Sequence, residues 1–349
     1  MKSKIGIIGH FAFGKDFFDG QTVKTKILYN EFRSILGNDN VLYVDTYNYK
    51  KNVIRLLFKT LRLFNKSENV VINLSTKGRY VFIPLCYFLK KVFGTRVHCM
   101  VIGGGFPEQM KNNKFVRRIS RKIDGIYVET TVMLNAMHDL GYDNVYHLNN
   151  FKKLTMVKKS DLNLKSNFPL KICTFSRVIK EKGIEDIIEA ITRINQQEGK
   201  VIYYLDIYGQ IGTEYQEDFE ELIKKSPDFI RYKGIIDYDK SVDVIKEYFL
   251  LAFPTLYKTE GVPGTIIDAY ASGVPVISSD WNSCKDVVDD NSTGIIFKMG
   301  DINDLISKLK EAYTYPQKIT SMKENCLDKA FQYSSHIVIP KLLDLIDKD

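Results

Sequence analysis

Residues 260–280 read EGVPGTIIDAYASGVPVISSD, an order that predicts a turn, a short helix and then a buried strand. The turn is rich in Gly and Pro and ends at Gly264, where a short apolar run begins. Gly273 and Pro275 interrupt that run and lead into further β-branched residues. A helix joined to a strand in this way is typical of an α/β fold with a parallel sheet.

Two acids stand at the start of the predicted helix. Glu260 precedes the turn, and Asp268 lies just inside the helix. The first N–H groups of a helix lack intrahelical acceptors and lie at the positive end of the helix dipole, so this terminus is suited to bind a phosphate or another anion. Both carboxylates can accept hydrogen bonds from hydroxyl groups. Anion donors beside hydroxyl acceptors indicate a nucleotide-sugar as the ligand.

The rest of the chain repeats this alternation of strands and helices. Predicted strands of the first half cover 5–8, 41–44, 70–74, 97–102 and 125–128. Those of the second half cover 170–175, 201–208, 230–233, 250–254, 274–278 and 294–297. A polar, Lys-rich stretch at 152–167 separates the two sets. We therefore predict an α/β fold of two Rossmann-like, doubly wound domains that face a cleft, with ligand at the carboxyl ends of the strands.

Length and composition agree with two folded domains. The chain has 349 residues, of which 44% are hydrophobic and 26% charged. Its first residues favour a buried strand over a signal peptide, and no apolar stretch approaches the roughly 20 residues that span a bilayer. The five cysteines are scattered without a Cys-x-x-Cys pair. This usage favours a reducing cytoplasm and disfavours a disulfide framework or a zinc site.

Positive charge is concentrated in the first half. The chain has a net charge of +8. Residues 1–150 hold 23 basic and 11 acidic residues and so carry +12, whereas the remainder carries −4. A solvated surface, a nucleic-acid patch and attraction to an anionic membrane would each explain this excess.

Residues 50–66 form an amphipathic basic segment. As a helix, they place a basic stripe on one face, made by Lys51, Arg55, Lys59, Arg62 and Lys66. An apolar face is made by Val53, Ile54, Leu57, Leu61 and Phe64. Such a helix either packs its apolar face into the protein core or lies in a membrane interface, and its pattern leaves both open. Nucleic acid is disfavoured because the aromatic residues do not interleave with the basic ones.

A second loop brings positive charge to the C-terminal half. Arg177 follows the predicted strand 170–175, and Lys182 precedes the next helix. Both cations should therefore lie at the carboxyl end of that strand. Arg offers a planar fork of donors and Lys a compact charge, a pair that suits a diphosphate.

Four segments of the C-terminal half together resemble glycosyltransferase family 4. They are Ser176-Arg177-x4-Lys182-Gly183, Tyr208-Gly209, Tyr232-Lys233-Gly234 and Glu260-x7-Asp268 with the AYASGVPVI run. In the first half the resemblance is thin and rests on the 9–14 loop and on Asp19-Gly20-Gln21-Thr22. The family implies the GT-B fold, with residues 1–150 on the acceptor side and residues 151–332 binding nucleotide-sugar. A last helix at about 333–349, with its start expected near Pro340, would pack back on the first domain.

The resemblance also implies roles for single residues. Arg177 and Lys182 match the pair that neutralises the donor diphosphate, and Glu260 matches the acid that binds sugar hydroxyls. Asp268 replaces the family's second Glu, which holds the ribose, and is one methylene shorter. The other implied donor contacts are Gly20, Gly234, Ile236, Gly264 and Thr265.

The acceptor side and any metal are less strongly indicated. Predicted strand ends offer Gly103, Gly104, Glu129 and Asn149 as acceptor contacts, and the glycines equally suit a plain tight turn. His98 is expected to pack within its strand and not to act as a base. Asp237-Tyr-Asp239 has the form of a metal-binding Asp-x-Asp, but its position favours capping the helix at Lys240. We expect no metal and no other cofactor.

Together these residues predict a metal-independent hexosyltransferase. The donor would be a nucleotide-sugar, most simply a UDP-sugar, and the acceptor a lipid-linked glycan or polysaccharide in cell-surface polysaccharide synthesis. A retaining outcome is implied by the resemblance alone. We expect a cytoplasmic protein at the inner face of a membrane, with an anionic lipid surface and no nucleic acid among its partners. A nucleotide-sugar epimerase of the same fold and a non-catalytic basic membrane-binding protein are the alternatives.

Overall fold

The computed structural model describes residues 3–15 and 20–347, and the chain divides into two compact units. The N-terminal unit comprises Met1–Lys153 and Tyr333–Asp349, and the C-terminal unit comprises Leu154–Gln332. Each unit contains a six-stranded sheet whose strand pairs are all parallel. The predicted α/β fold with two parallel sheets is therefore confirmed.

The N-terminal sheet has the strand order β2-β1-β3-β4-β5-β6. Its strands are β1 (Ser3–Gly9), β2 (Val41–Asp45), β3 (Ser67–Asn73), β4 (Arg96–Met100), β5 (Gly125–Val128) and β6 (Val145–His147). The helices between them are α1 (Gly20–Leu36), α2 (Val53–Lys66), α3 (Thr76–Phe93), α4 (Phe106–Asn112), α5 (Lys114–Ser120) and α6 (Thr131–Asp139). The order reverses direction between β1 and β3, so the loops after these two strands lie side by side at the carboxyl edge.

The C-terminal sheet has the strand order β12-β11-β10-β7-β8-β9. Its strands are β7 (Leu170–Phe175), β8 (Tyr203–Tyr208), β9 (Ile230–Gly234), β10 (Leu250–Phe253), β11 (Val276–Ser279) and β12 (Gly294–Phe297). Its helices are α7 (Ile184–Gln197), α8 (Gln216–Lys225), α9 (Ser241–Ile245), α10 (Gly264–Ala271), α11 (Cys284–Val287), α12 (Ile302–Thr314), α13 (Pro316–Thr320) and α14 (Lys323–Ala330). Here the order reverses between β7 and β10, which places the loop after β7 beside the loop after β10.

Apolar side chains cover both faces of the N-terminal sheet. On one face Ile8, Val70 and Ile72 belong to a buried cluster, and on the other Ile5 and Ile7 belong to a second. A strand buried on both faces reads as a continuous apolar run, which is why these strands were recognisable in the sequence. β6 was not predicted, because its three residues are too few to give such a run.

The last helix, α15 (Ser335–Asp347), belongs to the N-terminal unit and packs against α1. It contains Pro340 at an interior position, so the prediction that Pro340 starts the helix is wrong. A proline inside a helix removes one backbone hydrogen bond. Pro340 lies on the exposed side of α15, where water can satisfy the freed carbonyl, while Ile339 and Leu342 hold the buried side.

The segment before α9 also differs from its prediction. Lys240 is the N-cap residue of α9 and no side chain caps the helix, so the prediction that Asp237-Tyr-Asp239 caps it is wrong. Both acids are exposed, and Asp237 lies 3.6 Å from the Lys240 ammonium. A side chain caps a helix best from the N-cap position, and here Lys240, which has no acceptor, occupies that position.

Candidate active site

The loops after β7 and β10 are joined at the carboxyl edge of the C-terminal sheet. The Leu256 N–H donates to the Glu181 carbonyl at 2.8 Å, and the Thr255 hydroxyl oxygen lies 3.4 Å from the same carbonyl oxygen. Parallel α/β sheets bind ligands at such a reversal of strand order. This edge is therefore the candidate active site of the C-terminal unit.

An ion pair between Lys182 and Glu260 lies at the centre of this site. Lys182 comes from the turn before α7, and Glu260 comes from the loop before α10. Glu260 Oε1 also accepts from the Thr255 hydroxyl at 3.0 Å, and the Lys182 ammonium lies 5.3 Å from the centre of the Phe253 ring. Both charged side chains are about 15% exposed, at 15% and 14%. Their charges are thus partly shielded from water but within reach of a ligand.

Two glycines allow the β7–α7 loop to pack this closely. Gly183 has φ +64°, and a Cβ there would collide with the carbonyl oxygen of Pro254. Gly209 has φ +136°, and a Cβ there would collide with the carbonyl oxygen of Ser176. Only glycine fits both the backbone conformation and the space at these positions. They hold Lys182 and Arg177 at the carboxyl edge.

Arg177 lies on the same loop, five residues before Lys182. Its side chain is exposed, and it forms no ion pair with any residue in 3–15 or 20–347. A guanidinium in this state keeps all of its donors available for an incoming anion.

The N-terminus of α10 lies in the same loop region. Its N-cap residue, Pro263, has no side chain that could cap the helix, and the first helical bonds run from the Ile266 and Ile267 N–H groups to the Pro263 carbonyl. The N–H groups of Gly264 and Thr265 therefore lack intrahelical acceptors. The Thr265 hydroxyl oxygen is buried without a hydrogen-bond partner among the described residues. This helix end can donate to an anion or a sugar.

Asp268 lies in the second turn of α10 and is 8% exposed. Its Oδ2 accepts from the Ser241 hydroxyl at 2.9 Å, and Ser241 is the first residue of α9. The carboxylate thus ties α9 to α10. Sequence reasoning assigned Asp268 to the ligand and did not anticipate this partner.

Gly234 and Ile236 are predicted to read the base. Gly234 is the last residue of β9, and Ile236 lies two residues beyond it. Gly234 has φ +80°, and its carbonyl accepts from the Gly209 N–H at 2.9 Å. Ile236 is half-buried. The bond to Gly209 connects this segment to the loop that follows β8, so the predicted base-reading segment lies two strands away from Lys182 along the sheet.

A buried polar network supports this part of the sheet and was not predicted. Asp206 accepts from the Arg231 guanidinium at 2.8 Å and from the Tyr248 hydroxyl at 2.8 Å. Tyr248 in turn meets the Tyr208 hydroxyl at 2.8 Å. Burial, the bond to Tyr208 and the carboxylate of Asp206 raise the pKa of Tyr248 well above its ordinary value. The phenol stays protonated and the network stays connected through the physiological pH range.

The predicted acceptor residues lie at the carboxyl edge of the N-terminal sheet, with Gly103 and Gly104 after β4, Glu129 after β5 and Asn149 after β6. Glu129 is buried and pairs with the Lys24 ammonium of α1 at 2.6 Å. Asn149 is half-buried after β6. Gly103 has φ +78°, a left-handed conformation that favours glycine, and Gly104 is half-buried beside it. A Cβ at Gly20, the first residue of α1, would meet nothing within 4 Å.

The sequence also made predictions for His98 and Asp19 of the N-terminal unit. His98 is fully buried in β4, where its Nδ1 lies 3.0 Å from the Tyr127 hydroxyl. Burial lowers the pKa of His98 to about 4, so the ring is neutral at physiological pH, as a packed strand residue should be. Asp19 of the predicted glycine loop lies outside the described residues.

His10 was missed by the sequence reasoning. It follows β1 directly at the point where the strand order reverses, and its Nδ1 lies 2.7 Å from the Thr22 hydroxyl of α1. The signal was its position, since a polar side chain just after the first strand of a parallel sheet faces the ligand-binding edge. Thr255, two residues after β10, was missed for the same reason.

The basic segment 50–66 contains α2, and its apolar face divides between core and solvent. Leu63 and Phe64 are buried, whereas Val53, Ile54 and Phe58 are 60%, 73% and 67% exposed. The basic side chains of the predicted stripe, from Lys51 to Lys66, are exposed too. No described helix is long and apolar enough to cross a membrane.

The two parallel six-stranded sheets match GT-B glycosyltransferase structures, and the candidate site around Lys182 lies in the second unit. Residues 169–314 match the family model described as glycosyl transferases group 1. This match and the fold support the glycosyltransferase group 1 class. Family 4 stays a prediction.

Similarity to known proteins extends over much of the chain. The amylovoran biosynthesis glycosyltransferase AmsK of Erwinia amylovora is 25% identical over 52% of this chain and 45% of its own. A Campylobacter jejuni enzyme, N,N'-diacetylbacillosaminyl-diphospho-undecaprenol alpha-1,3-N-acetylgalactosaminyltransferase, is 20% identical over 56% of this chain and 54% of its own. The chain thus spans about half the length of these curated relatives. Anabaena HepE in complex with UDP has a TM-score of 0.78, covers 99% of this chain and 100% of its own, and is 13% identical.

Proposed function

We propose that this protein is a retaining glycosyltransferase that moves a hexose from a UDP-sugar to a lipid-linked or polysaccharide acceptor in cell-surface polysaccharide synthesis. The observation that carries the proposal is the Lys182–Glu260 pair beside the uncapped start of α10. UDP is bound in the structurally similar HepE, and the Campylobacter jejuni relative is named for a diphospho-undecaprenol acceptor. A relative from Staphylococcus aureus, CapM, is named for capsular polysaccharide biosynthesis and supports a polysaccharide product.

The chemistry follows from the charges at this edge. As the sugar leaves the nucleoside diphosphate, negative charge grows on the phosphate oxygens. Lys182, Arg177 and the N–H groups at the start of α10 stabilise that charge, and donors fixed before the reaction lower the barrier most. Glu260 is paired with Lys182 in the structure. Once the diphosphate pairs with Lys182 instead, Glu260 would accept hydrogen bonds from the sugar hydroxyls.

The nucleoside contacts are assigned by the same reasoning. Asp268 would hold the ribose hydroxyls, either directly or through water because its side chain is shorter than the family's Glu. Gly234 and Ile236 would contact the base through their backbone. The cations of the β7–α7 loop take the place that a metal would hold beside the diphosphate, and we propose that transfer needs none. Gly20, Gly103, Gly104, Glu129 and Asn149 stay predictions.

We also propose that the protein works at the cytoplasmic face of a membrane. The exposed apolar residues of α2 lie beside exposed basic residues of the same helix, a combination that suits an interface rich in anionic lipid.

A panel of nucleotide-sugars tests the proposed donor. A true donor stabilises the folded state by mass action, by about 2.7 kcal/mol at a hundred times its dissociation constant. We expect the thermal midpoint to rise with a UDP-hexose in the presence of EDTA and to change little with GDP- or CMP-sugars. If no UDP-sugar raises the midpoint, or if EDTA abolishes the rise, the donor or the metal-free mechanism is wrong.

A further inference from the structure

A groove of about 430 Å³ lies within the N-terminal unit between α2 and α3. One wall is formed by Val53, Leu56 and Leu57 of α2. The opposite wall is formed by Val81, Phe82 and Leu85 of α3. A groove with these walls has the chemistry of a hydrocarbon-binding site.

The groove is open to solvent along its apolar walls. Val53, Leu57 and Val81 line it and are 60%, 45% and 63% exposed. Ile54 and Phe58 extend this apolar surface along α2 and are still more exposed. Contiguous apolar surface of this kind on a folded protein marks a binding site for an apolar partner.

One end of the groove is polar and lies at the ligand-binding edge of the sheet. His10 and Thr46 follow β1 and β2 and line that end, together with Gln21 of α1. This edge is where the strand order reverses between β1 and β3. A ligand that fills the groove would therefore place one polar end at the edge and its apolar part between the helices.

Positive charge accompanies the polar end. Lys77 lines the groove and is exposed in the first turn of α3. The N-cap residue of α3, Ser75, also lines it and makes no side-chain capping bond. The basic residues of α2 add to the positive electrostatic potential here, which is complementary to the negative charge of a phosphate.

We propose that the groove between α2 and α3 binds the hydrocarbon chain of a phosphate-bearing lipid acceptor, with the phosphate near Lys77. The role of this lipid as an acceptor rests on the proposed function, whereas the lipid-binding site does not depend on it. It narrows the acceptor from a lipid-linked glycan or polysaccharide to a lipid-linked one, and it places the chain on particular residues. Transfer of the hydrocarbon chain from water into the groove provides most of the affinity. The attraction between the phosphate and Lys77 fixes the orientation of the lipid.

Calorimetric binding of dodecyl phosphate, below the concentration at which it forms micelles, tests the groove. Val81→Trp narrows the groove, and Val92→Trp is its control, because Val92 is 73% exposed on the same helix and does not line the groove. We expect Val81→Trp to weaken binding at least tenfold and Val92→Trp to leave it unchanged. Inorganic phosphate should bind at least a hundredfold more weakly than dodecyl phosphate.

A charge variant tests the orientation. Lys77→Gln should weaken dodecyl phosphate binding severalfold, whereas Lys91→Gln, an exposed lysine near the other end of α3, should not. Equal binding by the two Trp variants, or no binding by the wild type, overturns the proposal. Loss of self-association in Val81→Trp without any binding of dodecyl phosphate would instead assign the groove to a second copy of the chain.

Measuring UDP-hexose binding on the same variants distinguishes a failure of the groove proposal from a failure of the proposed function. Thermal stabilisation by a UDP-hexose is measured on the same variants and should be unchanged in all four, since none lies in the C-terminal unit. Binding of the UDP-hexose without binding of dodecyl phosphate would refute the groove proposal and leave the proposed function intact. Binding of dodecyl phosphate without binding of the UDP-hexose would refute the proposed function and leave the proposal of a lipid-binding groove intact.

Discussion

At the scale of single residues, the site depends on a partly buried charge pair. Lys182 and Glu260 neutralise each other in a position where neither is fully hydrated. Removing one partner of such a pair leaves the other charge uncompensated. The pair therefore ties two loops together. Under the proposed function, a charged ligand would separate it at low cost, because one ion pair would replace another.

Glu260→Gln should abolish most of the transfer. The amide keeps the shape of the side chain but no longer carries the charge that holds sugar hydroxyls and orients Lys182. We expect kcat to fall by about a hundredfold or more, the size found when a fixed polar group is lost from a transition state. Glu181→Gln, an exposed acid on the neighbouring loop, should keep wild-type rates. Hexose-transfer rates within threefold of wild type in Glu260→Gln would refute the assigned role.

Thr265→Val separates ligand binding from stability. The Thr265 hydroxyl is buried without a partner among the described residues, so an isosteric methyl should leave the thermal midpoint unchanged or raise it slightly. If the hydroxyl donates to the donor substrate, the same variant should lose a measurable part of the stabilisation by UDP-hexose. A fall in the ligand-free midpoint would show that the hydroxyl already has a structural partner.

Gly183→Ala tests the packing that positions Lys182. Gly183 and Gly199 both have positive φ, near +64° and +62°, but a Cβ would collide with Pro254 only at Gly183. The backbone strain of alanine is thus common to both variants, and the collision is specific to one. Urea unfolding should show a clearly larger loss of stability for Gly183→Ala than for Gly199→Ala. Equal losses would mean that the loop relaxes without difficulty.

At the scale of elements, α2 carries the most unusual surface. Its sequence allowed an ordinary core-facing helix or an interfacial one, and the structure combines features of both. Thr60, Leu63 and Phe64 pack inward, while Ile54 and Phe58 on the same helix face solvent. The sequence could not resolve this division, because the hydrophobic pattern shows how wide an apolar face is but not how much of it the neighbouring elements cover.

Vesicle sedimentation tests the role of α2. The double variant Arg55→Glu with Lys59→Glu should lose binding to vesicles that contain phosphatidylglycerol. Lys224→Glu with Lys225→Glu makes the same change of net charge on α8 of the C-terminal unit and should bind like wild type. Binding should also weaken as salt is raised, since exposed charges are screened. Binding that ignores lipid charge and salt would contradict an electrostatic contribution from α2.

The sequence predicted most elements because their residues decide them locally. α10 begins at Gly264 and ends at Ala271, as the turn residues on either side indicated. Pro340 and the Asp237 segment were misassigned because their outcome depends on tertiary packing and on which residue occupies the cap. The same limit applies to the site. The motif residues Lys182 and Glu260 were identified, but Thr255, His10 and the groove beside His10 arise from elements distant in sequence.

At the scale of the whole molecule, the carboxyl edges of the two parallel sheets differ in chemical character. The C-terminal edge is charged and combines Lys182, Arg177 and an uncapped helix start. The N-terminal edge is amphiphilic and opens into an apolar groove. A transferase needs two unlike sites for two unlike substrates, and this difference in chemistry agrees with a hydrophilic donor and a lipid-linked acceptor.

The most direct test is the affinity of UDP-hexose for Lys182→Met, measured by titration calorimetry against Lys180→Met. Lys180 lies on the same turn, two residues away, and is exposed, so the two variants share the loss of one charge. We predict that Lys182→Met binds the donor at least tenfold more weakly than wild type, while Lys180→Met binds it normally. Equal affinities in the two variants, or no binding of UDP-hexose by the wild type, would contradict the assignment of a nucleotide-sugar site to this edge.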